Sequence, residues 1–165
     1  MKYIFFKKIK NQRGFSLLEV TVAISLILIG LIGVISLSLQ NIKTQNINGN
    51  TFIASQLAKE GIELIRNKRD SNWFDKKLWN DSLASGKYKI DYEGNFSPVA
   101  SINEANLKIN KDGYNSIKGD DSIFDRMIEI NNDNPDYLDV KCTVRWQEKG
   151  DYHEYIVETY LYNWY

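Results

Sequence analysis

The chain has 165 residues, enough for one domain with little room for a second. It carries 21 basic and 21 acidic side chains, so its formal net charge is zero. The single cysteine, Cys142, excludes an intrachain disulfide and a four-thiolate zinc site; the single histidine, His153, excludes a two-histidine metal site and leaves any Ser-His-Asp triad to that residue alone.

The zero is unevenly built. Residues 1–14, MKYIFFKKIKNQRG, hold Lys2, Lys7, Lys8, Lys10 and Arg13 and no acid, a charge of +5. The remainder carries −5. Residues 15–39 follow, FSLLEVTVAISLILIGLIGVISLSL, with 17 apolar residues and Glu19 as the only charge. At about 1.5 Å per residue, Val20 to Leu39 predicts a helix of roughly 30 Å, the thickness of a bilayer's hydrocarbon core. A helix apolar all round is a membrane span or the centre of something larger than this chain. The basic leader predicts a cytoplasmic N-terminus and an exported C-terminal part. A cleaved secretory signal has a shorter apolar region and a small-residue cleavage site behind it; LSLQNIKTQ offers none. A plain signal anchor satisfies hydropathy equally well.

The junction QRG-FSLLEVTVA separates these readings. A basic leader ends in Gly14, Phe15 follows, and Glu19 stands inside the apolar run. This resembles the class III signal of type IV prepilins. The resemblance implies cleavage between Gly14 and Phe15 by prepilin peptidase, N-methylation of Phe15, and retention of the helix. Each residue also has a physical rationale. Gly14 lets the backbone lie close in a protease cleft. A carboxylate in an apolar span costs about 2.5–3.5 kcal/mol, which marks Glu19 as a functional candidate. The resemblance implies its partner, the charged terminus of a neighbouring subunit's Phe15. The plainer account of Glu19 is a carboxylate favoured by the helix dipole near the N-terminus. Gly30 and Gly33 suit close packing through small residues and local weakening of the helix equally.

Beyond the span, Ile53, Leu57, Gly61 and Leu64, with Ala54, Ala58, Ile62 and Ile65, recur at three- and four-residue spacing, an amphipathic helix with one face to bury. Polar residues 41–50 predict a loosening or bend near Gly49. The helix is expected to end by Arg69 or Asp70, with Arg66, Lys68 and Arg69 in its last turn. A short helix within residues 71–86 is expected to cap the core with Trp73, Phe74, Leu78 and Trp79.

The second half alternates with period two. Tyr88, Ile90 and Tyr92 face one way, against Lys87, Lys89, Asp91 and Glu93. Leu138, Val140, Cys142, Val144 and Trp146 make an unbroken apolar face. A turn around Gly150 leads to Tyr155, Val157, Thr159 and Leu161, Ile128 and Ile130 mark another strand, and Lys111-Asp112-Gly113 is a turn signal. LAKEGIELIRNKRDSNW (57–73) resembles the helix end of PilV-like minor pilins, the type IV pilus modification proteins. LKINKDGY (107–114), SIFDRMIEI (122–130) and VRWQEKG…VETYLYNW resemble their hairpin, next strand and terminal pair.

The expected fold is therefore α+β and type IV pilin-like. A long N-terminal helix, membrane-spanning in its first half and amphipathic in its second, packs on an antiparallel sheet of about four strands. The expected divisions are a leader (1–14), a transmembrane assembly helix (15–40) and an exported domain (41–165). Cys142 reads as core packing and His153 as a surface hairpin residue. The Asn- and Asp-rich stretches 110–121 and 131–139 fail the EF-hand pattern, since Lys108 and Gly119 stand where acids are required. No catalytic residue, cofactor or metal is expected. The four Trp and ten Tyr suit core and sheet packing; stacking on nucleic acid or sugar is possible chemistry, but the −5 charge opposes general phosphate attraction.

The expected role is a minor pilin subunit with no enzyme activity. Its expected partners are prepilin peptidase, other pilins, the assembly machinery and the membrane, crossed once, before it joins a surface filament. The alternatives are a pseudopilin of a type II secretion or competence system, and, from another class, a membrane-tethered DNA- or glycan-binding module.

Overall fold

A computed structural model describes residues 14, 16–91, 93–110, 113–115 and 119–164. Leader residues 1–13, Phe15, Tyr92, Lys111 and Asp112 lie outside them, and with them the leader, the methylation position and part of the turn at Gly113. The chain divides into two compact units at Thr44–Gln45.

Helix α1 runs from Leu17 to Phe74. In the first unit its residues are exposed throughout, and its apolar window is long enough to cross a membrane. Ser25, Ser36 and Thr44 donate their hydroxyls to the carbonyls of Thr21, Ile32 and Gln40, four residues back, so these polar groups are satisfied without leaving the helix. The expected loosening near Gly49 does not occur. Residues 41–50 are helical, since Gly49 is one glycine among good or neutral helix formers, at a cost of about 1 kcal/mol.

The second unit holds the core. Here α1 buries Ala54, Leu57, Ala58, Gly61, Ile62 and Ile65, the stripe that the three- and four-residue spacing predicts, with Ile53 and Leu64 half-buried beside it. The helix continues past the expected stop at Asp70, so Arg66, Lys68 and Arg69 are not in its last turn. Two side chains account for the extra turn. Asn72 is buried and donates to the carbonyls of Trp79 and Asp81 at 3.2 and 2.8 Å, and Arg69 is buried against Trp73. No second helix follows Phe74 before β1; the chain turns instead, and of the expected cap Trp79 is buried in the core, joined by Leu83, while Trp73 is half-buried against it. Phe74 and Leu78 are exposed, which corrects their expected place in the cap.

Among the described residues seven antiparallel strands make one sheet, three more than the four or so expected: β1 (Gly86–Ile90), β2 (Phe96–Pro98), β3 (Asn106–Asn110), β4 (Gly113–Asn115), β5 (Asp120–Asn131), β6 (Tyr137–Glu148) and β7 (Asp151–Tyr162). Strands β2 and β4 are only three residues long, too short to show alternation. One side of β5 is shared: β1 pairs with its C-terminal half and β3 with its N-terminal half. On the other side come β6 and then β7.

The face toward the helix carries Phe124, Ile128 and Ile130 from β5, Leu138, Val140, Cys142, Val144 and Trp146 from β6, and Leu161 from β7, all buried. The β6 face is the one read from its alternation. Asp91 is buried rather than opposed to solvent, because it lies beyond β1 and accepts from the Asn95 backbone and side-chain amides, both at 2.9 Å. His153 is half-buried and stacks on Trp146 with ring centroids 5.4 Å apart, so it belongs to the inner face and not to an exposed hairpin tip.

One residue in this core breaks the apolar pattern. Arg126 is 1% exposed. Its guanidinium donates to the carbonyls of Leu57 on α1 and Ile90 on β1, at 3.1 and 2.9 Å, and lies 3.3 Å from the Glu60 carboxylate. A buried charge is tolerable when it is paired and hydrogen-bonded, and here α1 and β1 supply the partners.

Candidate functional site

The residues of the expected processing and assembly site lie at the start of α1. Gly14 is exposed and outside the helix, and Phe15 lies outside the described residues. The helical hydrogen bonds begin with the Val20 N–H on the Ser16 carbonyl at 3.1 Å. Glu19 therefore falls in the first turn, where unpaired backbone N–H groups and the helix dipole favour a carboxylate. It is exposed and has no side-chain partner among the described residues. Around it stand Leu17, Leu18, Val20 and Val22, all exposed. The arrangement is a lone carboxylate on an apolar cylinder. In lipid such a group needs a cation brought by another molecule.

Residues 9–35 match the family model described as the prokaryotic N-terminal methylation motif. The match covers the basic leader's end, Gly14, Phe15, Glu19 and most of the apolar run. It marks the chain as the precursor of a type IV pilin-like or pseudopilin subunit. It implies processing by prepilin peptidase and assembly with other pilins. With the apolar helix, it marks a membrane-anchored chain that crosses once. No curated protein and no solved structure matches the chain. The α+β architecture, an N-terminal helix whose second half packs on an antiparallel sheet, is pilin-like.

The second unit adds two surfaces that sequence reading did not isolate. The first is a cleft of about 680 Å³ lined by Asp70, Trp73, Phe74, Lys76, Lys77 and Trp164. Trp73 and Trp164 meet edge to face at 4.5 Å, and the Arg69 guanidinium lies 4.9 and 5.8 Å from their centroids. No periodic signal joins Trp164 to Trp73; only the final strand's position brings them together. The second surface is the outer face of the sheet, with rows of alternating charge. Glu129 lies between Lys87 at 3.2 Å and Lys141 at 3.8 Å, and Arg145 pairs with Asp125 at 2.7 Å. No group of three His, Cys, Asp or Glu able to hold a metal exists among the described residues.

Of the remaining candidates, Cys142 is wholly buried, and burial pushes its thiol up from 9.0 to about 12. It is a packing residue with no reactive thiolate at neutral pH. Among the described residues His153 stacks on the Trp146 ring and bonds to no carboxylate or hydroxyl, so the geometry of a catalytic triad is not assembled on it.

Proposed function

We propose that the chain is a minor pilin: a structural, non-enzymatic subunit of a type IV pilus-like filament, acting in pilus assembly or modification. Its precursor lies with residues 1–14 in the cytoplasm. Prepilin peptidase cuts between Gly14 and Phe15 and methylates the new terminus. The helix then holds the subunit in the cytoplasmic membrane until it is drawn into the filament at the cell surface. The observation that carries this reading is Glu19, an exposed carboxylate without a partner among the described residues, in a helix that carries no other charge through residue 39. The positively charged Phe15 terminus of a neighbouring subunit supplies the missing cation, and burying both together removes the cost of burying either alone.

Two measurements test the proposal. Mass spectrometry of the native N-terminus in a peptidase-competent cell is expected to find methylated Phe15; an intact Met1 terminus there sinks the processing step. Glu19→Ala is expected to leave processing intact and to abolish incorporation into filaments. Normal incorporation of that variant would remove the assembly role from Glu19.

A second reading, a membrane-tethered module that contacts glycan, rests on the Trp73–Trp164 cleft, since aromatic faces pack on sugar rings. It requires the subunit to act without a filament. Finding the processed chain in purified filaments decides against it.

A further inference from the structure

Among the described residues strand β7 is the last strand on its side of the sheet and pairs with β6 alone. The pairing runs without a register shift from Glu148↔Asp151 to Tyr137↔Tyr162. The turn between them is Lys149-Gly150, with φ of 52° and 96°, the two-residue turn that matches strand twist. A turn of this kind closes on a pair that exchanges both backbone bonds, and bonded pairs then alternate along the ladder. The odd-numbered residues of β7 thus turn their N–H and C=O groups toward β6. Asn163 follows the same parity, its N–H donating to the Asp136 carbonyl at 2.8 Å. The even-numbered residues, Tyr152, Glu154, Ile156, Glu158 and Tyr160, turn theirs outward. Among the described residues nothing accepts from or donates to those outward groups. The next outward carbonyl, that of Tyr162, takes a long 3.4 Å bond from Arg69.

Natural edge strands are usually shielded by proline, lysine, a bulge or short length. Strand β7 has 12 residues and none of these devices. It holds Asp151, Glu154 and Glu158 and no Lys or Arg.

The outer face tells which partner fits. Successive strands alternate in sign along two rows. One runs Lys87, Glu129, Lys141, Glu158, and the other Asp125, Arg145, Glu154, each neighbour set by the register. Both rows stop at β7 on a carboxylate, and the next strand in the alternation would carry two cations. Between the two glutamates, half-exposed Ile156 offers an apolar contact. The described edge strands of a second copy do not supply those cations. Antiparallel pairing of β7 with itself about Ile156 sets Glu154 against Glu158, and the short strands β2 and β4 hold no charged residue.

We propose that the free edge of β7 takes up one extended segment of a different protein. That segment carries Lys or Arg at two positions four residues apart and a β-branched residue between them. Backbone bonds to the even-numbered residues bind it, and Glu154 and Glu158 set its register and its charge.

The test uses the full chain in nanodiscs of zwitterionic lipid, so that a basic peptide finds no anionic membrane. The probes are short peptides alternating threonine and valine, with either two lysines or two glutamates four positions apart. Binding of the lysine peptide is expected to slow amide exchange at Tyr152, Glu154, Ile156, Glu158 and Tyr160, but not further at the odd-numbered residues. The glutamate peptide is expected to bind on the order of ten-fold more weakly or worse, from two cross-strand pairs turned repulsive. Ile156→Pro removes an outward donor and is expected to abolish binding; at an edge position proline leaves the β6 ladder intact. The double variant Glu154→Lys with Glu158→Lys keeps the backbone and is expected to reverse the peptide preference. The proposal is overturned by equal affinity for both peptides, by no slowing of those five amides, or by an unreversed preference in the double variant. It is equally overturned if the chain alone associates and thereby protects the same amides, since a second copy is then the occupant.

Discussion

Gly61 is seated tightly against β5 and β6, and replacing it with alanine measures that approach. A Cβ built at Gly61 lies 2.9 Å from Cys142 Sγ, 3.1 Å from Ile128 Cδ1 and 3.4 Å from Arg126 Cδ. Ordinary carbon contacts are about 3.5–4.0 Å, so two of the three neighbours must give way by several tenths of an ångström. Overpacking of a core on this scale costs about 1–3 kcal/mol. Against it stands a gain of about 1 kcal/mol from removing a mid-helix glycine. Gly61→Ala is therefore expected to destabilise the second unit by roughly 1 kcal/mol. The closest neighbour is the Cys142 sulfur, so the penalty is expected to shrink in a Cys142→Ala background. A favourable coupling of about 1 kcal/mol between the two changes is within the range for residues in contact. The assay is urea unfolding of the full chain in detergent, followed by the fluorescence of buried Trp79 and Trp146, for the two single variants and the double. If Gly61→Ala instead raised stability by the full helix-propensity gain, with no coupling to Cys142, the seating of α1 on β5 and β6 described above would be wrong.

Two further outcomes follow from the same core. Arg126→Ala is expected to cost about 3–5 kcal/mol, because it leaves the carbonyls of Leu57 and Ile90 without a donor and opens a cavity. Arg126→Met keeps most of the volume and is expected to cost less, and comparing their urea midpoints checks the order. The Cys142 thiol is raised from 9.0 to about 12, chiefly by burial. Its contribution is whole below pH 9, where both folded and unfolded states hold the proton. It is lost progressively from pH 9 toward 12, where only the unfolded chain ionises. Cys142→Ala is expected to flatten that part of the stability profile, measured as urea midpoint against pH.

The parts of the fold with an unbroken period were legible from residues alone. The β6 face from Leu138 to Trp146 and the α1 stripe from Ala54 to Ile65 repeat often enough to define a side to bury. The junction at Gly14, Phe15 and Glu19 was legible for a different reason: a carboxylate is conspicuous where every neighbour is apolar. What escaped was set by contacts distant in sequence. Arg126 has the parity of Phe124 and Ile128, so its inward direction was available, but its partners lie on α1 and β1, and nothing local announces them. Asp91 and Asn72 are similar, each buried because its side chain stands in for missing backbone partners in the loop that follows. Helix α1 runs on past Asp70 because Asn72 and Arg69 find such partners, and propensity alone does not report them. The Trp73–Trp164 cleft depends on where β7 ends relative to the helix, which no window of sequence contains.

Arg126 also bears on how the second unit comes apart. Its guanidinium is shared among α1, β1 and β5, so lifting any one of them strands a charge inside what remains of the core. That penalty raises the free energy of half-open states far more than that of the fully unfolded chain, in which water solvates the group. The second half of α1 should therefore not peel from the sheet by itself. Amides of residues 54–65 should exchange at the rate of global unfolding, and the second unit should yield to heat or denaturant in one step, as an all-or-none body.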